Sequence, residues 1–244
     1  MSVRVLCVGN MYPPHHLGGY ELVWQGAVRH LRARGHRVEV LTSDFRRAGV
    51  EEPDEPGVHR DLRWWWRDHA FPRRSGPARL ALERHNAAVF RRRLRTLRPE
   101  LVCWWSMGGM SMSLLAHGGR AGVPAIAFVH DDWLVYGPAM DQWTRMLARR
   151  PAAEALVRRV TGLPTRFEPG HVSRWLFVSD FTRRRALDSG LELSATEVAH
   201  SGIDAAFLGP GPERRWAWRL LFVGRIDERK GADVAVAALV HLPA

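Results

Sequence analysis

Lysine occurs once in this chain of 244 residues, at Lys230, while the other 35 of its 36 long basic side chains are arginine. It lies in Val223-Gly224-Arg225-Ile226-Asp227-Glu228-Arg229-Lys230-Gly231, between an apolar run and a helical pattern. An arginine fork five residues ahead of a mobile ammonium, at the mouth of a strand-to-helix turn, is suitable equipment for holding a diphosphate. The same spacing also suits a solvated lysine at a helix start. His130-Asp131-Asp132 follows the apolar stretch Pro124 to Val129. Three such side chains could hold a metal, but no distant ligands match them, and a hydrogen-bonding turn at a strand end is the reading adopted. His130 by itself reads more readily as a satisfied core histidine.

The elements that must position these residues follow from periodicity. Val3 to Gly9 reads as a short strand, followed by the loop Asn10-Met11-Tyr12-Pro13-Pro14-His15-His16-Leu17-Gly18-Gly19. Tyr20, Val23, Trp24, Ala27, Val28 and Leu31 then fall on one helical face, with Gly35 as the stop. His36 to Thr42 is a second strand. A strand, helix and strand of these lengths make a parallel βαβ unit, which puts the Gly-Gly turn at the carboxyl edge of the sheet, where such folds bind ligands. Val58 to Trp66 is a further strand candidate, and Pro77 to Leu97 a basic amphipathic helix. Strands are expected at Leu101 to Trp105, Pro124 to Val129 and Arg174 to Val178, with a helix across Ser111 to Arg120 and a capped helix after Ser179. This alternation predicts an α/β, doubly wound parallel sheet covered on both faces. Gly209, Pro210, Gly211 and Pro212 mark a linker, after which Arg219 to Gly224 reads as a strand and Ala232 to Leu242 as a helix.

Composition narrows the partners. A formal charge of +11 favours anions, whether nucleotide phosphates, nucleic acid or the negative face of a membrane. The bias to arginine also matches a GC-rich coding sequence, so charge does not choose among them. No run approaches the ~20 apolar residues of a membrane span, and Met1 to Asn10 is too short for a signal peptide, so the cytoplasm is the expected compartment. Cys7 and Cys103 lie in apolar runs and read as small buried hydrophobes.

In order and at these separations, the motifs resemble glycosyltransferase family 4, the retaining, sugar-nucleotide-dependent enzymes of the GT-B fold. Tyr12-Pro13-Pro14 with Gly18-Gly19 looks like the family's glycine loop. Phe128-Val129-His130-Asp131 is similar to its central histidine motif, and Phe177-Val178-Ser179-Asp180-Phe181-Thr182 to its strand-to-helix step. Ser201-Gly202-Ile203-Asp204 resembles the turn into the linker, with His200-Ser201 where the commoner form has Pro-Asn. The resemblance implies a GT-B chain with an N-terminal acceptor-side domain over residues 1–204, a linker over 205–216, and the truncated start of a Rossmann-like donor domain over 217–244. Such a fragment is expected to be inactive alone, lacking the family's paired-glutamate motif and nucleotide-base pocket.

The resemblance also implies roles. Arg225 and Lys230 would hold the donor diphosphate, joined by the backbone N–H groups of Gly18 and Gly19 at a helix N-terminus. His130 would contact the donor sugar near the reacting carbon. Neither a cofactor nor a metal is expected beyond the nucleoside-diphosphate sugar itself. Tyr12, Glu21, Trp105 and Met107 are candidates for acceptor or sugar contact, although Glu21 also suits a first helical turn and Trp104-Trp105 also suit a core. Trp64 to Trp66 and Met107-Gly108-Gly109-Met110 offer apolar surface that could stack on a sugar or fill the interior. The acceptor, a sugar, small molecule or lipid-linked compound, stays open. The basic helix is either a solvated face or a peripheral membrane contact at the inner leaflet.

Two other readings compete. A nucleotide-linked oxidoreductase lacks support because no Gly-x-Gly-x-x-Gly follows the first strand. A noncatalytic basic binding module would need clustered arginines and a nucleic-acid motif, and neither is present, so no nucleic-acid partner is expected.

Overall fold

A computed structural model describes residues 1–66, 70–148, 150–203, 205, 208–209, 211, 217–224, 226 and 228–242. The chain divides into two compact units, Met1–Gly202 and Ile203–Ala244. Asp204 and most of the expected linker lie outside the described residues.

The first unit is built on strands β1 (Arg4–Val8), β2 (Arg37–Ser43), β3 (Val58–Leu62), β4 (Leu101–Trp104), β5 (Ala125–Val129), β6 (Arg174–Phe177) and β7 (Thr196–Val198). Every pairing is parallel, in the order β3-β2-β1-β4-β5-β6-β7. From β1 the chain winds outward through β2 to β3, then returns to place β4 on the other side of β1. The carboxyl ends of β1 and β4 therefore flank the point where winding reverses, and a crevice opens there in sheets of this kind. This is the doubly wound α/β class read from the sequence.

Parallel strands need crossovers, and the helices supply them: α1 (Tyr20–Ala33), α2 (Gly76–Leu97), α3 (Ser113–Arg120), α4 (Trp133–Met140), α5 (Gln142–Ala148), α6 (Pro151–Thr161) and α7 (Asp180–Asp188). Successive β1 residues feed opposite faces, as a period of two requires. Val5 and Cys7 join Cys103 and Trp105 under α1, whose Trp24 and Val28 are almost fully buried. Leu6 and Val8 join Val102 and Trp104 on the other face, with Leu82, Val89 and Phe90 of α2 and Leu114 and Leu115 of α3. Both cysteines are buried free thiols, and they are register partners on β1 and β4.

Element ends follow local chemistry. Gly35, with φ of +84°, turns the chain after α1, Pro77 sits in the first turn of α2, and α7 opens with a capping box in which Ser179 and Thr182 bond each other's backbone N–H. In the first unit five elements differ from expectation or were not foreseen, the edge strand β7 among them. The strand at Val58 stops at Leu62 rather than running to Trp66, because the following tryptophans turn inward to the core. Helices α4 to α6 are short, and α4 holds Gly137 and Pro138, so no helical period is legible there.

The second unit contains α8 (Ala232–Ala238) followed by a single 3-10 turn, Leu239–His241. The strand expected at Arg219 to Gly224 is absent: residues 219–224 are irregular, and among the described residues none pairs with them. A lone strand leaves its N–H and C=O groups unpaired, so apolar sequence alone does not hold it extended. Leu221, Val223 and Ile226 are more than four-fifths exposed.

Within α3, Gly118 lies so close to the buried ring of Trp104 that a Cβ would stand 2.5 Å from its Cζ2. Helix propensity favours alanine there by about 1 kcal/mol, but overpacking costs roughly 1–3 kcal/mol and the ring is held from all sides. Gly118→Ala should therefore lower the midpoint of urea unfolding; an unchanged or raised midpoint would mean that Trp104 can move aside.

Candidate functional site

Four chain segments leave the carboxyl edge near the reversal point, and hydrogen bonds knit them together. Asn10 is the knot of the first. Its backbone N–H donates to the Ser106 carbonyl at 2.8 Å, its side-chain amide donates to the Gly108 carbonyl at 2.9 Å, and its own carbonyl accepts from the Ser43 hydroxyl. The loops after β1, β2 and β4 are thus fixed to one another through one asparagine. Farther along, the Tyr12 carbonyl accepts from Arg60 at 2.8 Å, while Arg60 pairs with Asp54 at 2.7 Å.

The Gly18-Gly19 turn leads directly into α1. Gly18 donates its N–H to the Glu21 carboxylate at 3.1 Å, and Glu21 is buried, so that acid caps the first turn from inside. Gly19 has no atom within 4 Å of the place a Cβ would occupy. Of the two glycines, it is the one with open surroundings.

His130 stands at the end of β5. Its imidazole is stacked on the Tyr20 ring with centroids 4.5 Å apart and planes 4° from parallel. The Tyr20 hydroxyl donates to the Phe128 carbonyl, so the tyrosine is pinned at both ends. Trp105 lies 6.0 Å from His130 on another side and is itself stacked on Phe128 at 4.3 Å. Among the described residues the imidazole makes no hydrogen bond. Burial lowers its pKa to about 4, so it is neutral at ordinary pH and keeps one donor and one acceptor for a ligand. The stability this group confers is complete above its ordinary value near 6.5 and is lost as pH falls toward 4.

Asp131 is exposed on one side and crowded on the other. The crowding desolvates its carboxyl and raises the pKa to about 6, with the backbone bond from Trp133 opposing and the charges of Glu21 and Asp132 adding to the rise. It accepts that N–H at 3.0 Å and so fixes the start of α4. Among the described residues no three His, Cys, Asp or Glu side chains gather to hold a metal.

The other proposed contacts lie deeper. Tyr12 is fully buried, edge-on to Trp24 at 4.8 Å. Trp105 is buried against Trp24 and Phe128, and Met107 is buried in the larger core. In this conformation these three shape the edge through packing. Gly108 and Gly109 have physical reasons to be glycine: a Cβ on Gly108 would meet the Tyr136 hydroxyl at 2.1 Å, and Gly109 has φ of +73° with the Trp64 ring where a side chain would be. Below this loop, Glu83 is fully buried and accepts from the Ser113 hydroxyl at 2.5 Å, while Asp141 accepts from the N–H groups of Met112 and Trp143 at 3.0 and 2.8 Å.

Arg225 lies outside the described residues. Lys230 ends the single turn Glu228–Lys230 in the second unit, is exposed, and precedes Gly231, whose φ of +65° lets α8 begin. Sequence reasoning assigned Tyr20 only to the packing stripe of α1 and missed its stack on His130. Asn10 was passed over as a loop residue, although a polar side chain directly after a buried strand could have marked it.

The family model for glycosyltransferase family 4 matches residues 17–207, which spans the glycine turn, the histidine segment and α7. The chain belongs to glycosyltransferase family 4. No curated protein matches it. Among solved structures, the calicheamicin glycosyltransferase CalG4 is similar at 16% identity and a TM-score of 0.37, over 75% of this chain and 51% of that one. The family 4 chain thus spans about half the length of that enzyme.

Two outcomes follow from the electrostatics of this family 4 unit. Tyr20→Leu should open His130 to water and raise its pKa from about 4 toward 6.5, while Tyr20→Phe should leave it low, both read by NMR titration of the ring. An unmoved titration in the leucine variant would assign the burial to Trp105 and Phe128 instead. Burial, with Asp141 adding like charge, raises the Glu83 pKa to about 8. Its stabilising effect is therefore complete below its ordinary value of 4.5 and lost as pH rises through 8. Glu83→Gln should flatten the fall in melting temperature over that range, and an equally steep fall would place its origin elsewhere.

Proposed function

We propose that the full-length form of this protein transfers a sugar from a nucleoside-diphosphate sugar to an acceptor hydroxyl with retention of anomeric configuration, residues 1–244 alone being inactive. Membership in family 4 supports transfer of a glycosyl group. The observation that carries the site assignment is His130: a neutral imidazole, without a protein hydrogen-bond partner among the described residues, held by Tyr20 at the carboxyl edge beside the reversal point. A group prepared in that way suits hydrogen bonding to sugar hydroxyls without adding charge.

In the proposed reaction the bond between the anomeric carbon and the diphosphate oxygen breaks, and the acceptor oxygen bonds to the same face of that carbon. The acceptor proton passes to the departing diphosphate. Negative charge grows on that leaving group, so its stabilisation counts for the rate. Gly19 at the start of α1 offers backbone dipole, and the family resemblance assigns Arg225 and Lys230 to the same leaving group. Glu21 holds the turn rather than the ligand in this scheme.

Testing requires the full-length enzyme, a panel of sugar nucleotides differing in base and sugar, and candidate acceptors, with nucleoside diphosphate release and product mass as readouts. NMR of the product's anomeric proton reports the stereochemistry, and an inverted product would reject retention. Each charged bond to a leaving phosphate contributes about 1.5–3 kcal/mol, so Arg225→Ala and Lys230→Ala should each reduce turnover by about tenfold or more. His130→Ala should reduce transfer with little change in melting temperature. Undiminished turnover in all three variants would remove the assignment.

A further inference from the structure

Beside the edge just described, a cavity of about 640 Å³ lies between the end of β3 and α2, lined by Asp44, Asp61, Arg63, His85, Arg92 and Arg95 among others. Its charges do not balance. Asp61 takes both Arg92 and Arg93 on a single carboxylate oxygen, at 3.0 and 2.8 Å. Burial pushes the Asp61 pKa up, but the bond and charge of Arg93 and the charge of Arg92 outweigh it, so the acid is ionised. Among the described residues, neither Arg63 nor Arg95 has a carboxylate within ion-pair distance. The lining holds three guanidinium groups, Arg63, Arg92 and Arg95, against two carboxylates, Asp44 and Asp61; because Arg93, outside the lining, also pairs with Asp61, the surplus reaches two positive charges.

The surplus is held in place. The Arg63 N–H donates to the Asn86 side-chain oxygen at 2.8 Å, and the Asn86 amide donates back to the Arg63 carbonyl at 2.9 Å. Asn86 is fully buried, so this clamp fixes the stem from which the Arg63 guanidinium projects. His85 is anchored to the Asp61 carbonyl at 2.8 Å, and because a carbonyl only accepts, its Nε2 carries the hydrogen.

We propose that this groove seats the phosphate monoester of a small phosphorylated ligand. Such a group carries about −1.5 to −2 charges at neutral pH, matching the surplus, and its oxygens accept the paired N–H groups of arginine. A bilayer surface fits less well. The large apolar side chains Leu82, Val89, Phe90 and Leu97 of α2 are buried, and none of the exposed large hydrophobic residues lies on this helix, whereas an interfacial helix must bury an apolar face in lipid. The two aspartates in the lining also disfavour a flat sheet of phosphates. A small ligand seated here lies close to the carboxyl edge: β3 is two strand spacings from β1, roughly 10 Å. Trp64, the residue after Arg63, donates its indole N–H to the Gly108 carbonyl at 3.0 Å. On the transfer reading, the phosphorylated ligand is the acceptor; the binding itself does not depend on that reading.

A second basic cavity, of about 380 Å³, lies among Arg120, Arg158, Arg166 and His171. There Glu154 already takes Arg166 at 2.8 Å and Arg158 at 3.7 Å, so less charge is left over.

Calorimetric titration of the protein with inorganic phosphate, glycerol 3-phosphate and glycerol tests the proposal without any assay of sugar transfer. Both phosphates should bind and glycerol should not. Arg63→Ala and Arg95→Ala should each weaken glycerol 3-phosphate by about tenfold, as expected for loss of a charged bond, while Arg84→Ala, on the same helix but outside the lining, should leave it unchanged. Equal weakening by Arg84→Ala would reveal a diffuse field and overturn the site. So would failure of both phosphates to bind, or Arg63-dependent sedimentation with phosphatidylglycerol vesicles when glycerol 3-phosphate does not bind. If the phosphates bind as expected but the full-length enzyme shows no transfer with any sugar nucleotide, the groove stands and the transferase reading fails.

Discussion

Stacked aromatic rings running beneath the carboxyl ends of the central strands hold this edge together. Tyr12 meets Trp24, Trp24 stacks on Trp105, Trp105 stacks on Phe128, and Tyr20 stacks on His130. Each such pair contributes about 0.5–1.5 kcal/mol beyond the area it buries, but position is the larger effect. Flat rings packed face to face leave few ways to rotate, so the imidazole is oriented by neighbours that are themselves immobile. Gly9 belongs to the same arrangement, since a Cβ there would stand 2.7 Å from the Trp24 ring and force the stack apart.

The electrostatics follow from that packing. Rings exclude water around His130 and keep it neutral, while the neighbouring Asp131, with one open side, has its pKa raised by crowding. A neutral imidazole and a carboxyl near its titration point, adjacent in sequence, differ because aromatic faces surround one and a helix start engages the other. The buried Glu83 and Asp141 bond Ser113 and Met112 at the start of α3, and Glu83 and His130 respond to pH in different ranges.

The central strands β1, β4 and β5 were legible because they are apolar on both faces and separated by clear helical or turn signals, whereas the polar edge strand β7 was not foreseen. β1, α1 and β2 fall within two residues of where periodicity placed them. The run of helices α4 to α6 was not legible, since each is short and one carries both Gly137 and Pro138. At Arg219 to Gly224 the apolar pattern suggested a strand, yet strand formation needs a partner that composition does not reveal. The site was legible in part: glycines and a histidine at strand ends stand out as residue types, whereas Asn10 and Tyr20 act through bonds and stacking between segments far apart in sequence. The burial of Tyr12, Trp105 and Met107 depends on the same long-range packing.

The ring column also limits how this edge can be exchanged between proteins. Tyr12 of the loop after β1 rests on Trp24 of α1, Trp24 on Trp105 beyond β4, and Trp105 on Phe128 of β5, so these segments form one mechanical unit although about a hundred residues separate its ends. A chimera that imports only the loop after β1 would seat a foreign side chain in place of Tyr12 on rings of the wrong shape. Transplanting the turn with its properties therefore means moving α1, the start of the β4 loop and the end of β5 together, and recombination within this fold should respect that boundary rather than the order of the chain.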